Sequence, residues 1–447
     1  MTTAADATES VDLAIVGAGA AGLMAAIWAG RSAKAVGGKP SIVALDGAAK
    51  LGAKILVAGG GRCNVTHHEV DAAAYAGGSR NAIRNVIRRF DVPQTVEFFR
   101  SLGVELKRED TGKLFPVTDS ARTVLDALLA AARDAGVDVR TRHRVDSIEH
   151  VHDHFVIRAP DDESQWPNWG ALRARRVIIA CGGMSLPKTG SDGHGFRMVK
   201  SLGHTVTPRV FPSLVPLTLP EDHWGRTLAG VSTNATLEVR TATNKRITSF
   251  TNALLFTHFG ISGPVTLDIS RYYLDEAACG SAKLIANWLP CESTESVDAA
   301  LLDLGSRTVL RWLTDQLPER LARVLIELAG SDPAATGATL TRDQRRQLVQ
   351  TLTAHEMPVT GSRGFRHAEV TAGGVPLNEI HLKTMESRIT PGLSLVGEIL
   401  DVDGRIGGFN FQWAWATGYI AGCAVSSPCP SSPVAAPDPH RPPSRRR

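Results

Sequence analysis

The hexapeptide Gly17-Ala18-Gly19-Ala20-Ala21-Gly22 constrains the fold more than any other segment, because it places G-x-G-x-x-G between an apolar run at 11–16 and a helical pattern at 23–31. In such a turn Gly17 permits the tight bend, Gly19 lets the backbone approach a pyrophosphate, and Gly22 lets the helix pack close to the strand. The first helical N–H groups, at Ala20 and Ala21, offer donors to phosphate oxygens. The segment therefore predicts a dinucleotide site, with a purely structural glycine turn as the alternative.

A second predicted strand, at 41–45, ends at Asp46, which stands 24 residues after Gly22. A carboxylate at this place accepts hydrogen bonds from a ribose diol. The order strand, helix, strand predicts a parallel pair of strands. We therefore expect an α/β, Rossmann-like first domain that holds the adenosine part of a coenzyme.

Two further glycine-rich segments favour FAD over NAD. Residues 59–64 read GGGRCN, in which Gly60 and Gly61 allow close approach to a flat ligand, and Arg62 can offset negative charge on a pyrophosphate or a reduced flavin. Cys63 and Asn64 complete that segment. In the second segment, 397–410, Glu398 follows an apolar strand and can bind ribityl hydroxyls. A helix then begins after Gly407, Gly408 and Asn410, and its N-terminus can stabilise the anionic N1/C2-oxygen edge of a reduced flavin.

Length and composition predict several folded domains. The chain has 447 residues, about three times the ~150-residue prior for one domain, and 43% of them are hydrophobic and 21% charged. After about Pro208 the pattern alternates with the period of antiparallel strands, 293–350 is helical, and βα sequence returns from Glu369. We expect an FAD domain at 1–207 and 368–425, a β insert at 208–291 and 351–367, a helical insert at 292–350, and a disordered Pro/Arg-rich tail at 426–447.

Several function classes lack support in the sequence. The formal charge is +4, and the segment 428–447 carries +3 of it, so basicity alone does not indicate nucleic acid. Six cysteines without a CxxC pair fit a reducing cytoplasm and argue against a thioredoxin-reductase-type enzyme. The uncharged run 13–30 contains four glycines, so we expect a soluble cytoplasmic protein rather than a membrane span. No motif predicts a metal site or a hydrolytic nucleophile.

The residues that could carry chemistry leave alternatives open. Cys63 beside a flavin could donate a proton or form an adduct, or it could simply pack beneath the ring. His258 could hydrogen-bond a substrate carbonyl or the flavin, or be structural. We expect Asp401 and Asp403 to cap the Gly407 region rather than bind cofactor.

Four motifs give the chain a specific resemblance. GGGRCNVT, THFGISGP (257–264), EVTAGGVPL (369–377) and GEILDVDGRIGGFNFQWAWATG (397–418) resemble the BaiN/RdsA flavoprotein family, also described as aminoacetone-oxidase-family or NAD(P)/FAD-dependent oxidoreductases. The resemblance covers about residues 10–424. It implies an FAD-binding Rossmann-like domain of the two-dinucleotide-binding type, with an inserted β-barrel and a small helical domain. Ala180-Cys181-Gly182-Gly183 departs from the family pattern, which has Thr before the glycines, at a position where Gly182 and Gly183 are expected to line the cofactor.

The resemblance implies reduction of a carbonyl-conjugated C=C bond, with uridine of 23S ribosomal RNA, converted to dihydrouridine, as the first candidate. A small-molecule flavin oxidase or steroid-like enone reductase is the second, and a non-enzymatic flavin-containing RNA-binding or assembly factor the third. A second embedded G-x-G-x-x-G is missing, so NADH or NADPH would dock transiently as hydride donor. Three basic clusters, at Arg80, Arg84, Arg88 and Arg89, at Arg342, Arg345 and Arg346, and in the tail, could track RNA phosphates or be solvated faces. The sequence leaves the oligomeric state open.

Overall fold

The computed structural model describes residues 8–162 and 166–425. The predicted disorder of 426–447 and the basic part of the tail lie outside these ranges. The strands, numbered in chain order, are β1 Glu9–Val16, β2 Ile42–Leu45, β3 Thr66–His67, β4 Tyr75–Gly77, β5 Leu106–Arg108, β6 Lys113–Pro116, β7 Val137–Arg140, β8 Ser147–Val151, β9 His154–Arg158, β10 Ala171–Ile179, β11 Phe211–Ser213, β12 Leu217–Thr218, β13 Ser232–Arg240, β14 Arg246–Thr257, β15 Gly260–Ser262, β16 Lys283–Asn287, β17 His355–Met357, β18 Gly361–Ser362, β19 Val370–Ala372, β20 Ile380–His381, β21 Glu386–Ser387, β22 Leu393–Leu395 and β23 Val402–Gly404.

The α-helices are α1 Ala20–Ala35, α2 Ala53–Gly61, α3 Arg80–Ile87, α4 Val92–Ser101, α5 Ala121–Asp134, α6 His194–Ser201, α7 Trp224–Thr227, α8 Pro264–Cys279, α9 Thr294–Leu302, α10 Val309–Leu313, α11 Glu319–Leu328, α12 Arg342–Thr353 and α13 Phe409–Ala424. Short 3-10 turns lie at Ala72–Ala74, Pro187–Thr189, Leu377–Glu379 and Gly397–Ile399. Helices α3 and α4 are separate, because Asp91 caps a new helix whose first turn contains Pro93.

The larger sheet has the strand order β20-β21-β22-β10-β1-β2-β7, and the β8–β9 hairpin pairs with the first half of β10. Strands β22, β10, β1, β2 and β7 are parallel, as the strand–helix–strand pattern predicts. The second half of β10, Val177–Ile179, is wholly buried, and so is β2. Continuous apolar strands are typical of a parallel sheet covered on both faces, which confirms the Rossmann-like architecture.

Helices α1 and α13 pack at unusually short range. A Cβ on Gly418 would lie 2.6 Å from the Ala21 carbonyl oxygen, and a Cβ on Gly422 would lie 2.5 Å from that of Ala25. The C-terminal helix therefore rests directly on the helix that follows the glycine turn, although the two are nearly 400 residues apart in sequence. This contact fixes both helix N-termini relative to each other.

A second sheet, with the order β17-β16-β13-β14-β15-β12-β18, is antiparallel, and β17 and β18 are its edge strands. Its buried residues share one core with the helices of 294–353: Leu237 and Phe256 from the sheet lie in the same cluster as Leu301, Leu321 and Leu348. The β insert and the helical insert therefore stabilise each other.

The insert enters and leaves the first domain at one place, where β11 pairs with β19. Beside this pair, Arg271 of α8 donates from Nε to both oxygens of Asp403, at 3.2 and 3.1 Å, and Ser213 Oγ donates to Asp403 at 3.1 Å. Asp403 is buried. It ties the two units together, and no side chain caps the helix that begins after Gly408, so the capping interpretation is wrong for Asp403.

Candidate dinucleotide site

A cavity of about 1880 Å³ lies at the carboxyl ends of the central parallel strands, where Val16, Leu45 and Ala180 line it. Ligands of open α/β sheets bind at this edge. The volume exceeds the roughly 300–1,000 Å³ of ordinary small-molecule pockets, so the space suits an extended dinucleotide with a second ligand beside it. The predicted cofactor residues that line it are Gly17, Gly19, Ala20, Ala21, Asp46, Arg62, Asn64, Gly182, Glu398, Gly407, Gly408 and Asn410.

The three glycines of the turn have separate surroundings. Gly17 has a φ of +101°, and a Cβ there would lie 2.6 Å from the Ala180 carbonyl oxygen. A Cβ on Gly22 would lie only 1.8 Å from the Gly17 carbonyl oxygen, whereas a Cβ on Gly19 would meet no protein atom within 4 Å. Gly22 therefore serves the packing of the helix and lies off the cavity wall. Gly19 faces the open space in which a pyrophosphate would come close to the backbone, and no side chain caps the helix it begins.

Asp46 organises the rim of the site. Its Oδ2 accepts a hydrogen bond from the Ala18 N–H at 2.9 Å, and its Oδ1 accepts one from the Ala48 N–H at 2.8 Å. These bonds hold the glycine turn and the loop after β2 together. Asp46 also lines the cavity, and its carboxylate has lone pairs left to accept from ribose hydroxyls; that role stays a prediction.

The 59–64 loop contributes less to the cavity than the sequence predicts. Gly59, Arg62 and Asn64 line it, but Gly60 and Gly61 do not. Gly60 and Gly61 have φ values of +69° and +87° and are exposed. Glycine at these two positions permits the left-handed turn that ends α2, because residues with a side chain rarely adopt that backbone conformation.

Cys63 does not reach the cavity. Its thiol is fully buried in the same core as Val65, and burial raises the pKa of the thiol to about 12. Its N–H donates to the Ala58 carbonyl at 3.0 Å. A neutral, enclosed thiol neither touches a ligand in the cavity nor gives up its proton readily, so the geometry supports the packing interpretation and argues against catalysis.

Arg62 lines the cavity but has protein partners. Its Nη1 lies 2.6 Å from Glu109 Oε1, and its guanidinium stacks 4.0 Å from the centre of the Phe115 ring. The Glu109 carboxylate, and next to it Asp119, raise the pKa of Arg62. The arginine therefore brings little uncompensated positive charge to a pyrophosphate.

Glu398 is the centre of a hydrogen-bond network. The sequence predicts Glu398 as a site residue but not its partners. Its Oε1 accepts from the Thr371 N–H at 2.9 Å and from Ser185 Oγ at 2.7 Å, and its Oε2 accepts from Lys54 Nζ at 2.5 Å. Lys54, which also lines the cavity, comes from α2. The only sequence signal for Lys54 is its place just before the glycine loop.

The N-terminus of α13 opens onto the cavity. Gly408 has a φ of +96° at the N-cap, and a Cβ there would lie 2.5 Å from the carbonyl carbon of Thr66. Asn410 binds both backbone groups of Gly404, at 2.8 and 2.9 Å, and so fixes the turn that leads into the helix. No side chain caps the helix, so the first-turn N–H groups remain available to an anionic group of a ligand.

The turn after β10 supplies a further part of the wall. Gly182, with a φ of +72°, lines the cavity, but Gly183 packs against Thr371, because a Cβ on it would lie 2.5 Å from Thr371 Oγ1. Cys181, at the position where the family pattern departs, also lines the cavity and donates to the Val16 carbonyl at 3.4 Å. Burial raises the pKa of its thiol to about 12.

Glu369 is a cavity residue for which the sequence gives no signal beyond its place at the start of the motif EVTAGGVPL. It lines the cavity, and its carboxylate has no hydrogen bond or ion pair with any residue of 8–162 or 166–425. Burial raises the pKa of this carboxyl, against the opposing effect of Lys113 and Lys54. An unpartnered carboxyl with a raised pKa in a cleft is a feature of functional sites.

His258 and the arginine clusters lie away from the cavity. His258 is exposed in the turn between β14 and β15, and its carbonyl accepts from Arg226 Nε at 2.7 Å, so the structure does not place its ring in the site. Arg84 bonds Asn81, and Arg345 pairs with Asp298 at 2.7 Å. RNA tracking by these clusters stays a prediction.

The polar groups left unpaired in the wall provide a test of whether FAD fits. Asn64 Oδ1 and Ser191 Oγ are buried, line the cavity and have no hydrogen-bond partner. Such atoms are costly to bury, and ribityl hydroxyls, phosphates and the ring N–H of a flavin are groups that would satisfy them. Together with the open space at Gly19 and the free N-termini of α1 and α13, the wall fits FAD.

Two further findings concern metal binding and membrane-spanning helices. Within 8–162 and 166–425, no three His, Cys, Asp or Glu side chains converge as a metal site. No helix in the part of the chain that the structure describes is both long and apolar enough to cross a membrane.

Comparison with known proteins gives matches along almost the entire chain. The family described as "HI0933-like protein Rossmann domain" matches residues 11–424. The 3-dehydro-bile acid delta(4,6)-reductase of Clostridium scindens is 36% identical over 419 residues, which are 93% of this chain and 98% of the relative. The ribosomal RNA dihydrouridine synthases of Escherichia coli and Haemophilus influenzae are 33% and 31% identical, over 92% of this chain in each case and over 97% and 98% of the relatives.

Proposed function

The chain belongs to the HI0933-like Rossmann-domain family and is an FAD-dependent oxidoreductase, and we propose that it reduces a carbon–carbon double bond conjugated to a carbonyl. The substrate we propose first is a uridine of 23S ribosomal RNA, which becomes dihydrouridine. NADH or NADPH, docking transiently, is the proposed hydride donor. Two relatives that act on ribosomal RNA and one that acts on a bile acid support this chemistry.

The chain's own residues divide the cavity into two functional ends. At the first end, the α1 N-terminus and Asp46 would hold the pyrophosphate and the adenosine ribose. At the other end, Asn64 and the α13 N-terminus would orient the isoalloxazine ring. When bound, FAD supplies the hydride that a conjugated double bond accepts.

The observation that carries the RNA proposal is the positive charge on the cavity wall. Lys113, Arg366 and Arg405 all line the cavity. Arg405 is paired with Asp268 at 2.9 Å, but Lys113 has no ion pair in the described ranges, and Arg366 is exposed. Cations on the wall of a redox site favour a polyanionic substrate, because phosphates flank every base of an RNA.

Anaerobic mixing tests this proposal. The purified protein is reduced with NADPH or NADH and then mixed with a uridine-containing RNA oligonucleotide. The matched control is the same oligonucleotide with 5,6-dihydrouridine at the target position, which has no double bond to accept hydride. We expect reoxidation of the flavin, followed by its absorbance, only with the uridine form, and loss of one ribosomal RNA dihydrouridine in a deletion strain. Equal reoxidation by both oligonucleotides, or by neither, contradicts the RNA proposal.

The second candidate is reduction of a steroid-like enone, which the 36% identity to the bile acid reductase favours. The same mixing experiment with a 3-oxo-Δ4 steroid separates the two. Rapid reoxidation by the steroid with none by uridine-containing RNA would make the small-molecule reaction the function.

A further inference from the structure

We propose that Glu369 is the catalytic acid of this site, the group that delivers a proton to the substrate carbon next to the carbonyl. The inference rests on the proposed double-bond reduction. It adds a named proton source, which hydride transfer to an alkene requires and which neither Cys63 nor His258 supplies from its position.

The backbone of Glu369 is held firmly while its side chain is free. The Glu369 N–H donates to the Leu214 carbonyl at 3.1 Å, and the Glu369 carbonyl accepts from Ser185 Oγ at 3.2 Å. The flanking residues Ala368 and Val370 are buried. Glu369 itself is exposed and lines the cavity, and within 8–162 and 166–425 its carboxylate has no hydrogen-bond or ion-pair partner that would keep it from a ligand.

The carboxylates of the other acids near the cavity already accept hydrogen bonds from the protein. Asp46 accepts two backbone N–H bonds and Glu398 accepts three bonds from the protein. Asp268 accepts from Arg405 and from the Ile406 N–H. A carboxylate whose oxygens are held by such donors is less free to turn toward a ligand in the cavity. Glu369 differs from all three in having no donor.

The charged groups around Glu369 act in both directions. Lys113 of β6 and Lys54 of α2 favour the carboxylate, and Asp268 of α8 disfavours it, while Arg366 and His367 precede Glu369 on its own segment. The side chain is exposed to the open cavity, but its enclosure by the walls of the cleft outweighs the two lysines and raises the pKa of Glu369 above its ordinary value. Part of the population therefore stays protonated closer to neutral pH, where an acid catalyst is needed.

Reduced FAD, held by the residues named above, would supply a hydride with its two electrons to the β-carbon of the conjugated double bond, and the π electrons of the substrate would move to the carbonyl oxygen and leave an enolate. The α-carbon of the enolate then takes the proton of the Glu369 carboxyl as that O–H bond breaks. The products are a C–C single bond, oxidised flavin and a Glu369 carboxylate, which takes a proton from water before the next turnover.

The test compares Glu369→Gln with wild type and with Glu356→Gln, a matched control at an exposed glutamate of β17 outside the cavity. Gln keeps the size and an N–H donor but has no acidic proton. For each holoenzyme we would measure FAD content, the pH dependence of the oxidised flavin absorbance, the Kd of the uridine-containing RNA for the oxidised form, and the reoxidation rate against pH. A Lys113→Met variant tests the other unpaired group.

We expect Glu369→Gln to retain FAD and RNA affinity but to lose reoxidation rate by about 100-fold or more, the range typical of a lost acid catalyst. Wild-type rate should fall as pH rises through the raised pKa, whereas the rate of the variant should not vary with pH. A pH-dependent change in flavin absorbance should be present in wild type and in Glu356→Gln and missing in Glu369→Gln.

Three results would overturn the inference. The first is a Glu369→Gln variant with wild-type rate and pH profile. The second is a variant that loses FAD or RNA binding in proportion to rate, which indicates a structural role. The third is an equal loss with the same pH profile in Lys113→Met, which makes Lys113 the acid. Failure of wild type itself to be reoxidised by RNA or steroid is distinct: it refutes the double-bond proposal, and with it this step.

Discussion

Replacing Gly19 and Gly22 separately by alanine distinguishes the ligand role of the first from the packing role of the second. At Gly22 the new Cβ would lie 1.8 Å from the Gly17 carbonyl oxygen, and Cβ contacts essentially never fall below 3.0 Å. Helix α1 must therefore move by about 1.2 Å, away from a backbone atom that cannot yield like a side chain. Overpacking of this kind costs about 1–3 kcal/mol or more, of which alanine regains up to about 1 kcal/mol through its helix propensity.

At Gly19 the outcome should be the reverse. The Cβ meets no protein atom within 4 Å, and the φ of −82° and ψ of −163° are open to alanine, so the apo protein should change by less than about 0.5 kcal/mol. The methyl group instead enters the space proposed for the pyrophosphate. A loss of about 1–3 kcal/mol of binding there corresponds to roughly a 5- to 150-fold weaker Kd for FAD.

Thermal unfolding of the apo and FAD-loaded forms, with FAD titration by fluorescence quenching, measures both effects. We expect Gly22→Ala to lower the Tm of the apo protein by several degrees, at about 2–4 °C per kcal/mol for a domain of this size. Gly19→Ala should keep the apo Tm and lose most of the stabilisation by FAD. Wild-type FAD affinity in Gly19→Ala would refute the placement of the pyrophosphate. An unchanged apo Tm in Gly22→Ala would refute the packing argument.

Three further predictions follow from single residues. Asp403→Asn leaves Arg271 without its buried counter-ion and should destabilise the protein by about 3–5 kcal/mol in urea unfolding, whereas Asp275→Asn, at a half-exposed partner of Arg271, should cost less than about 1 kcal/mol. Cys63→Ala and His258→Ala should retain turnover in the reoxidation assay, and a loss of about 100-fold in either would restore that residue as a catalytic candidate. Burial lowers the pKa of His355 from 6.5 to about 4, so its contribution is complete above pH 6.5 and is lost as pH falls toward 4. Over this range, urea unfolding should show up to about 3 kcal/mol of acid destabilisation, which His355→Gln reduces.

Much of the candidate site follows from local sequence because glycine patterns report local backbone needs. The turn at 17–22 must bend tightly, and both Gly407 and Gly408 have positive φ values. The need for glycine at these positions can therefore be identified from the sequence without knowledge of the fold. Asp46, the acid at the end of β2, can also be identified from the sequence, because the carboxyl ends of parallel strands lie at one edge of the sheet.

The errors concern where side chains point. Cys63 stands between two residues that line the cavity, Arg62 and Asn64, yet its own thiol is in the core. Whether a residue of an irregular loop faces a ligand or the interior depends on its φ, which is +61° for Cys63, and no periodicity predicts that value. Gly183 and Asp403 show the same limit, because the contacts of each depend on a residue from another segment of the chain. Gly183 packs against Thr371, and Asp403 pairs with Arg271.

The amino-acid sequence alone determined the strand–helix–strand unit and its glycine turn, because these depend on contacts between residues close together in the chain. It also determined the division between parallel and antiparallel parts, which the change from continuous to alternating apolar residues reveals. Only the tertiary structure brought Lys54, Lys113 and Glu369 to one cavity, from α2, β6 and the segment before β19. The raised pKa of Glu369 arises from that convergence, since burial and the charges of distant segments exist only once the chain has folded.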